Sequence, residues 1–361
     1  MIAAWKIRRE MQRLGQQVSA LHEAVWEPWV QRHHDRAFAK GFPVYDGAIG
    51  PNSKLALYLV YQPGSLPPSI VETCKFLTDH GYSTLIVANG GLSSESRALL
   101  LPQVWKILER PNIGYDFGGY RDGILQLLAW QNEPEKLLIL NDSIWFPIFP
   151  DEPFLAQMEA ADKDVVGTVL RRKNGRDFLE SYLYLMNGAV LKNPAVQNFW
   201  RSFRLTANKY KVIRRGERGH SAALTDAGFT LYPMFSADRF LTELTKQDDV
   251  FLERTLRYGV AETVGLAENH ARLLRMQKTA DWRKAVLDHI KQVLQSAQFY
   301  SAFPYASVQL MHYPVLKRSG DMVSALWRKA YLAAIEAGDL DAPKISVFAE
   351  LKSLVPHETA R

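Results

Sequence analysis

The chain has 361 residues, with 44 Lys and Arg against 38 Asp and Glu for a formal charge of +6. Its composition, 47% hydrophobic and 23% charged, is that of an ordinary globular protein, which excludes wholesale disorder, and its longest strictly apolar run, near Leu55 to Tyr61, is far short of the ~20 residues of a membrane-crossing helix. The single Cys74 can form neither an internal disulfide nor a cysteine zinc site, and Met1-Ile2-Ala3-Ala4-Trp5-Lys6 lacks the apolar stretch and cleavage site of a secretory signal, so a cytoplasmic location is expected.

The first 50 residues read as a helical preface: Trp5 to Arg36 has mixed charge, scattered aromatics and helical spacing, ended by Gly41-Phe42-Pro43. From Lys54 the pattern changes to short apolar runs, Leu55–Tyr61, Thr84–Ala88, Val104–Leu108 and Leu137–Leu140, which predict parallel strands buried on both faces. Between them, helices are expected over Pro67 to His80, around Ser94 to Leu101 and near Tyr120 to Trp130. After Pro150 come a helix near Phe154 to Ala161, a strand Val165 to Leu170, an apolar run Tyr182 to Leu191 and a helix Pro194 to Phe203, the pattern of an appended mixed sheet. From Asp238 the spacing is mainly helical, notably Asp281 to Phe299 and Met322 to Ala337. In βα units ligands sit at the carboxyl ends of the strands, so the chemistry is sought in the loops there.

Three segments carry candidate groups. In Arg110-Pro-Asn-Ile-Gly-Tyr-Asp-Phe-Gly-Gly-Tyr120, Asn112 and Asp116 have the donors and acceptors to bind a nucleobase or ribose, and Gly114, Gly118 and Gly119 let backbone approach a ligand closely; the same residue types also build a plain turn and helix cap. In Leu140-Asn141-Asp142-Ser143, an acid at a strand's carboxyl end suits a hard cation, Mg²⁺ or Mn²⁺, against a diphosphate, or else caps a turn. In Gly216-Glu217-Arg218-Gly219-His220, Glu217 has the chemistry of a general base, with His220 the weaker candidate; a first-turn acid favoured by a helix dipole is the alternative.

Strand, Asn-x-Gly loop, helix, acid-ended strand, second sheet segment and a Glu opening a helix follow one another in the order of nucleotide-sugar transferases of the GT-A fold. The expected architecture is therefore α/β, a Rossmann-like βα half plus a mixed-sheet half with helical N- and C-terminal additions. Its regions are a helical extension (1–50), a nucleotide-sugar-binding half (51–150), an acceptor and catalytic half (151–237) and a mainly helical C-terminal region (238–361).

The chain also resembles the rhamnan synthesis protein F family, over approximately Val44 to Lys317. The matching segments are Val44-Tyr45-Asp46, Ala88-Asn89-Gly90-Gly91-Leu92, Arg110 to Tyr120, Leu140 to Ser143, Glu180-Ser181-Tyr182 with Phe199-Trp200, Glu217 with Ser221 and Leu224, and Pro314-Val315-Leu316-Lys317. The resemblance implies an inverting GT-A-type sugar transferase, a rhamnosyltransferase, acting in O-antigen, rhamnan, capsule or lipopolysaccharide assembly from dTDP-L-rhamnose, with a glycan or lipid-linked glycan acceptor. Carried over by position, it implies Glu217 as base, Asn112 and Asp116 at the nucleotide end of the donor and Asp142 as a cation ligand; Asn89, Gly114, Asn141, Asp142, Ser143 and Lys317 complete the candidate donor residues, and His312 is a candidate late metal or phosphate ligand or else a structural histidine. The sequence departs from the pattern in two places: Asn141-Asp142-Ser143 has one carboxylate where two are usual, and Arg218 follows Glu217 where a second acid is common. Fixed positive groups such as Arg171, Arg172, Arg215 and Lys317 offer another way to neutralise a departing diphosphate.

Trp5, Trp26 and Trp29 with Lys6, Arg8, Arg9 and Arg13 suit either an anionic membrane surface at the inner face of the cytoplasmic membrane or a helix packed on the main body. No nucleic-acid module accompanies the charge, so no nucleic-acid partner is expected. The alternative function is a non-catalytic component of the same assembly pathway that binds a nucleotide sugar or polysaccharide.

Overall fold

The structure, a computed structural model, describes residues 26–355; Trp5, Lys6, Arg8, Arg9 and Arg13 lie outside them. Eleven strands are described: β1 Val44–Asp46, β2 Lys54–Val60, β3 Tyr82–Asn89, β4 Lys106–Arg110, β5 Lys136–Asn141, β6 Ile144–Trp145, β7 Val165–Lys173, β8 Arg176–Leu179, β9 Leu183–Asn187, β10 Leu231–Phe235 and β11 Leu316–Lys317. The chain divides into two compact units, one built from the residues up to Leu66, Leu77–Asn141 and Lys163–Tyr232, the other from Pro67–Phe76, Asp142–Asp162 and the residues from Pro233.

The first unit holds the mixed sheet in the order β1-β4-β3-β2-β5-β9-β7, with β8 paired to β7. β4, β3, β2 and β5 are parallel, β9 runs antiparallel to β5, and β7 antiparallel to β9. In register, Leu57 stands beside Leu85 on one side and Ile139 on the other, and all three are fully buried. This is why the parallel strands read as unbroken apolar runs. From β2 the chain builds outward through β3 to β4, then returns to β5 on the opposite side of β2. The strand order therefore reverses between β2 and β5, and open α/β sheets bind ligands outside the carboxyl ends of strands at such a reversal. Asn141 is the last residue of β5, level with Leu59 of β2.

The helix after β4 runs Tyr115–Ala129, one turn and more before its expected start. Gly118 and Gly119, which read as loop, are inside it. A Cβ at Gly118 would come 2.2 Å from the Ile113 carbonyl oxygen, and one at Gly119 2.1 Å from Leu59 Cδ1. Close packing onto the preceding turn and onto β2 demands them, not the approach of a ligand. Phe117 and Tyr120 of this helix enter the core with Trp200 and Val212, Phe117 lying stacked on Trp200 with ring centroids 6.0 Å apart. The apolar run 182–191 also divides: β9 ends at Asn187, and Gly188–Lys192 is a short helix.

The helix over residues 26–40 is fastened within this unit. Glu27 receives Lys211 Nζ at 2.8 Å and an Arg215 Nη2 at 2.9 Å, and Gln31 accepts the Leu205 amide at 2.8 Å. Trp26 and Trp29 remain exposed on it.

The second unit is mainly helical, with long helices at Val264–Arg275, Ala280–Leu294 and Met322–Glu336 and a two-stranded antiparallel ribbon, β6 with β11. Within it Glu350 gathers three donors: the Ser69 amide at 3.0 Å, the Ser69 hydroxyl at 2.8 Å and Trp145 Nε1 at 2.7 Å. No described helix is long and apolar enough to cross a membrane.

Candidate active site

In the first unit the strand and helix ends bring four distant segments into one hydrogen-bonded chain. Asn141, at the tip of β5, donates through Nδ2 to Asp116 Oδ2 at 3.0 Å and to the Tyr120 hydroxyl oxygen at 3.0 Å. That hydroxyl donates to the Ser181 carbonyl at 2.9 Å, and the Ser181 hydroxyl donates to Glu217 Oε1 at 2.9 Å. Asn141 and Ser181 are buried, whereas Asp116 and Glu217 are half-buried. The network thus has a closed middle and two carboxylates that reach the surface. Burial, reinforced by the charges of Asp116 and Glu217 and by Tyr184, holds the Tyr120 phenol well above its usual range despite the opposing Asn141 hydrogen bond. It stays a donor at every physiological pH.

Local structure explains the placement. Gly114 caps the helix with φ 83° and Tyr115 follows at φ 51°, two successive left-handed residues that turn the chain from β4 into the helix. Only glycine takes the first of these without strain, and residues held in such conformations cluster at functional sites. A Cβ on Gly114 would also meet Leu205 Cδ2 at 2.7 Å. Asp116 then falls in the helix's first turn, where a negative charge is favoured.

Glu217 does not open a helix, as the sequence suggested. It lies in a π-helical stretch, Ile213–Arg218, that continues the short helix Lys209–Val212 and leads into Gly219–Asp226. Such widened turns recur at functional sites because the extra residue re-aims side chains. His220, the weaker candidate base, is walled in by Trp200, Phe199 and Tyr184, with ring centroids 4.7, 5.2 and 5.7 Å away. Burial drives its pKa down to about 3, so it is a neutral core residue.

Asn89 is drawn into a second, separate network. Its side-chain oxygen accepts from Arg110 Nη1, while Arg110 Nε donates to Asp122 Oδ2 at 2.6 Å and Nη2 to the Ile113 carbonyl at 2.8 Å. Asp122 also meets His34 Nε2 at 2.7 Å and Arg121 Nη1 at 3.1 Å. Burial acts to raise its pKa, but the His34 hydrogen bond and the charges of Arg110, His34 and Arg121 outweigh that, so the carboxyl lies below the usual range. Asn112 stands exposed. Of the proposed cationic groups in this unit, Arg215 is held by Glu27, Arg172 lies 3.7 Å from Asp177 with its side chain 72% exposed, and Arg171 lies 3.6 Å from the buried Glu180.

In the second unit, the β6–β11 ribbon sets Ile144 opposite Lys317, which brings Lys317 to the Asp142-Ser143 turn. Arg318, which sequence reasoning passed over, donates its amide to the Ser143 carbonyl at 2.7 Å and directs Nη1 toward the Asp142 carbonyl at 3.4 Å. Its signal was only its place beside Lys317. His312 is exposed and in a left-handed conformation, φ 48°, at the C-cap of Pro304–Met311. Among the described residues no three His, Cys, Asp or Glu side chains gather to hold a metal. Asp142 and His312 therefore belong to no such group.

The profile of the family described as Rhamnan synthesis protein F matches residues 84–347. An uncharacterized protein of Sinorhizobium fredii, y4gN, is 28% identical over 349 residues, which cover 95% of this chain and 90% of that one. Among solved structures, mannosyltransferase PcManGT from Pyrobaculum calidifontis, in complex with GDP-Man and Mn²⁺, aligns with 11% identity and a TM-score of 0.31 over 94% of this chain and 95% of its own. The mannosyltransferase Ktr4p from S. cerevisiae aligns with 10% identity and a TM-score of 0.28 over 50% of this chain and 68% of its own.

Proposed function

Because the chain belongs to the rhamnan synthesis protein F family, we propose that it is a glycosyltransferase, and more specifically an inverting rhamnosyltransferase. It would take L-rhamnose from dTDP-L-rhamnose to a glycan or lipid-linked glycan in bacterial cell-surface polysaccharide assembly. The observation that carries the reading is the continuous hydrogen-bonded chain from Asp116 through Asn141, Tyr120 and Ser181 to Glu217. It joins four of the segments by which the sequence resembles that family, beside the strand-order reversal where such sheets bind ligands.

In this reading Glu217 accepts the proton of the acceptor hydroxyl as its oxygen attacks the anomeric carbon from the face opposite the departing diphosphate. Asp116, Asn112 and Gly114 serve the nucleoside end of the donor. Glu217 ends protonated, and the diphosphate leaves with the bonding pair. Developing charge on that leaving group calls for fixed positive groups, and Arg171 is the candidate within this unit. A divalent cation, Mg²⁺ or Mn²⁺, and a peripheral contact with an anionic membrane belong to the same proposal.

The test is thermal unfolding against dTDP, UDP, GDP and CMP, each with EDTA, Mg²⁺ or Mn²⁺. A ligand at 100 times its Kd adds about 2.7 kcal/mol to the folded state. Selective stabilisation by dTDP supports the rhamnosyl reading, another nucleotide changes the sugar, and no stabilisation by any of the four removes the donor site.

A further inference from the structure

Ser181 has no part in the reaction as described, yet both of its polar groups are committed. It lies in the turn between β8 and β9, 7% exposed. The donors around it can be assigned in only one consistent way. The Asn141 amide has two N–H bonds, one for Asp116 and one for the Tyr120 oxygen. Because that oxygen is occupied as an acceptor from the Asn141 side, the Tyr120 hydrogen points to the Ser181 carbonyl. The carbonyl bond fixes the Ser181 backbone, and its hydroxyl, with a single hydrogen, donates to Glu217 Oε1.

We propose that Ser181 is a positioning residue for Glu217. Its hydroxyl holds one carboxylate oxygen and so fixes the rotamer in which Glu217 meets the acceptor hydroxyl, with Tyr120 and Asn141 bracing Ser181 from behind. The proposal rests on Glu217 being the base. A carboxylate on a flexible Glu side chain samples several rotamers, and a neighbouring donor that selects one raises the fraction of encounters in which the proton can move. The gain falls on the chemical step and not on donor binding, because Ser181 acts through Glu217.

The test uses the full chain and the nucleotide sugar selected by the unfolding panel, dTDP-L-rhamnose in this reading, following release of the nucleoside diphosphate with water as acceptor. Wild type, Ser181→Ala, Ser181→Thr, Glu217→Gln and the Ser181→Ala/Glu217→Gln double variant are compared, with unfolding curves to show that each is folded. Ser181→Ala is expected to lower kcat about 10- to 30-fold, part of the roughly 10²–10⁴-fold that a positioned base supplies, with KM within twofold. Ser181→Thr, which keeps the hydroxyl, restores most of the rate, and Ser181→Ala adds less than twofold on top of Glu217→Gln. A full additional loss in the double variant, a change in KM alone, or no rescue by Thr overturns the positioning role while Glu217 stands as base. Wild-type rates in Glu217→Gln overturn the base itself, and the inference with it.

Discussion

Two networks spring from the same helix and teach opposite lessons about which polar residues do chemistry. The pair of Arg110 and Asp122 lies wholly inside, each side chain 0% exposed. The chain ending at Asp116 and Glu217 is also continuous in hydrogen bonds but leaves both of its carboxylates half-buried. The first spends its polar groups on one another and fastens helix 26–40 through His34. The second keeps two acids within reach of a substrate. A motif as a whole is therefore not a site: Asn89 and Arg110 belong to the first network, Asp116 and Asn141 to the second.

The comparison breaks most visibly at the two carboxylates. Glu217→Gln is expected to lower turnover by roughly 10²–10⁴-fold, with donor affinity within twofold in titration calorimetry; unchanged turnover would make Glu217 as structural as Asp122. Asp122→Ala is expected to do the reverse, costing about 3–5 kcal/mol in urea unfolding because Arg110 is left as an uncompensated buried charge. A loss below about 1 kcal/mol, the range of an exposed pair, would show that water reaches it.

Next in size is Gly118→Ala. With a backbone carbonyl only 2.2 Å from the new Cβ, the helix must shift, and a cost of about 1–3 kcal/mol follows. Neutral behaviour would mean that the close approach is not kept in solution.

Acidification gives a smaller effect. His220 is held neutral, its pKa moved from 6.5 to about 3, so the unfolded chain binds its proton first. Its contribution is intact above pH 6.5 and is lost as pH falls toward 3, by about 1 kcal/mol between pH 7 and 5.5. Glu152, raised by burial to about 7, works the other way, stabilising below its unfolded value and losing that as pH rises through 7. The difference between wild type and His220→Phe therefore isolates the histidine, and identical pH profiles would remove it as a source. Smallest is Asn112→Ala, expected within about 0.5 kcal/mol of wild-type stability while nucleotide-dependent stabilisation falls. An equal shift with dTDP in the variant would take Asn112 out of the donor site.

The parallel half of the fold was legible because strands buried on both faces leave unbroken apolar runs such as Leu137–Leu140. The start of the helix at Tyr115 was not, since glycine signals a turn and a close contact in the same letter. Glu217 was visible as a candidate base, but its π-helical setting depends on how Val212 and Leu224 settle into the core, which no local pattern records. Tyr120 and Ser181 were named only as parts of matching segments. Their roles come from a pairing between residues 61 positions apart, and only the sheet order creates that.

The hydrogen-bonded chain also has a history within each round of protein synthesis. Asp116 leaves the ribosome about 100 residues before Glu217, an interval of several seconds at roughly 5–20 residues per second. For the first part of that interval, until Ser181 and β9 emerge, the Tyr120 hydroxyl lacks the Ser181 carbonyl and β5 has no β9 beside it. Until then the emerging polypeptide carries an apolar sheet edge that nothing yet covers, so the emergence of the segment that holds Ser181 and β9, ahead of Glu217, ends the exposure of that edge to aggregation.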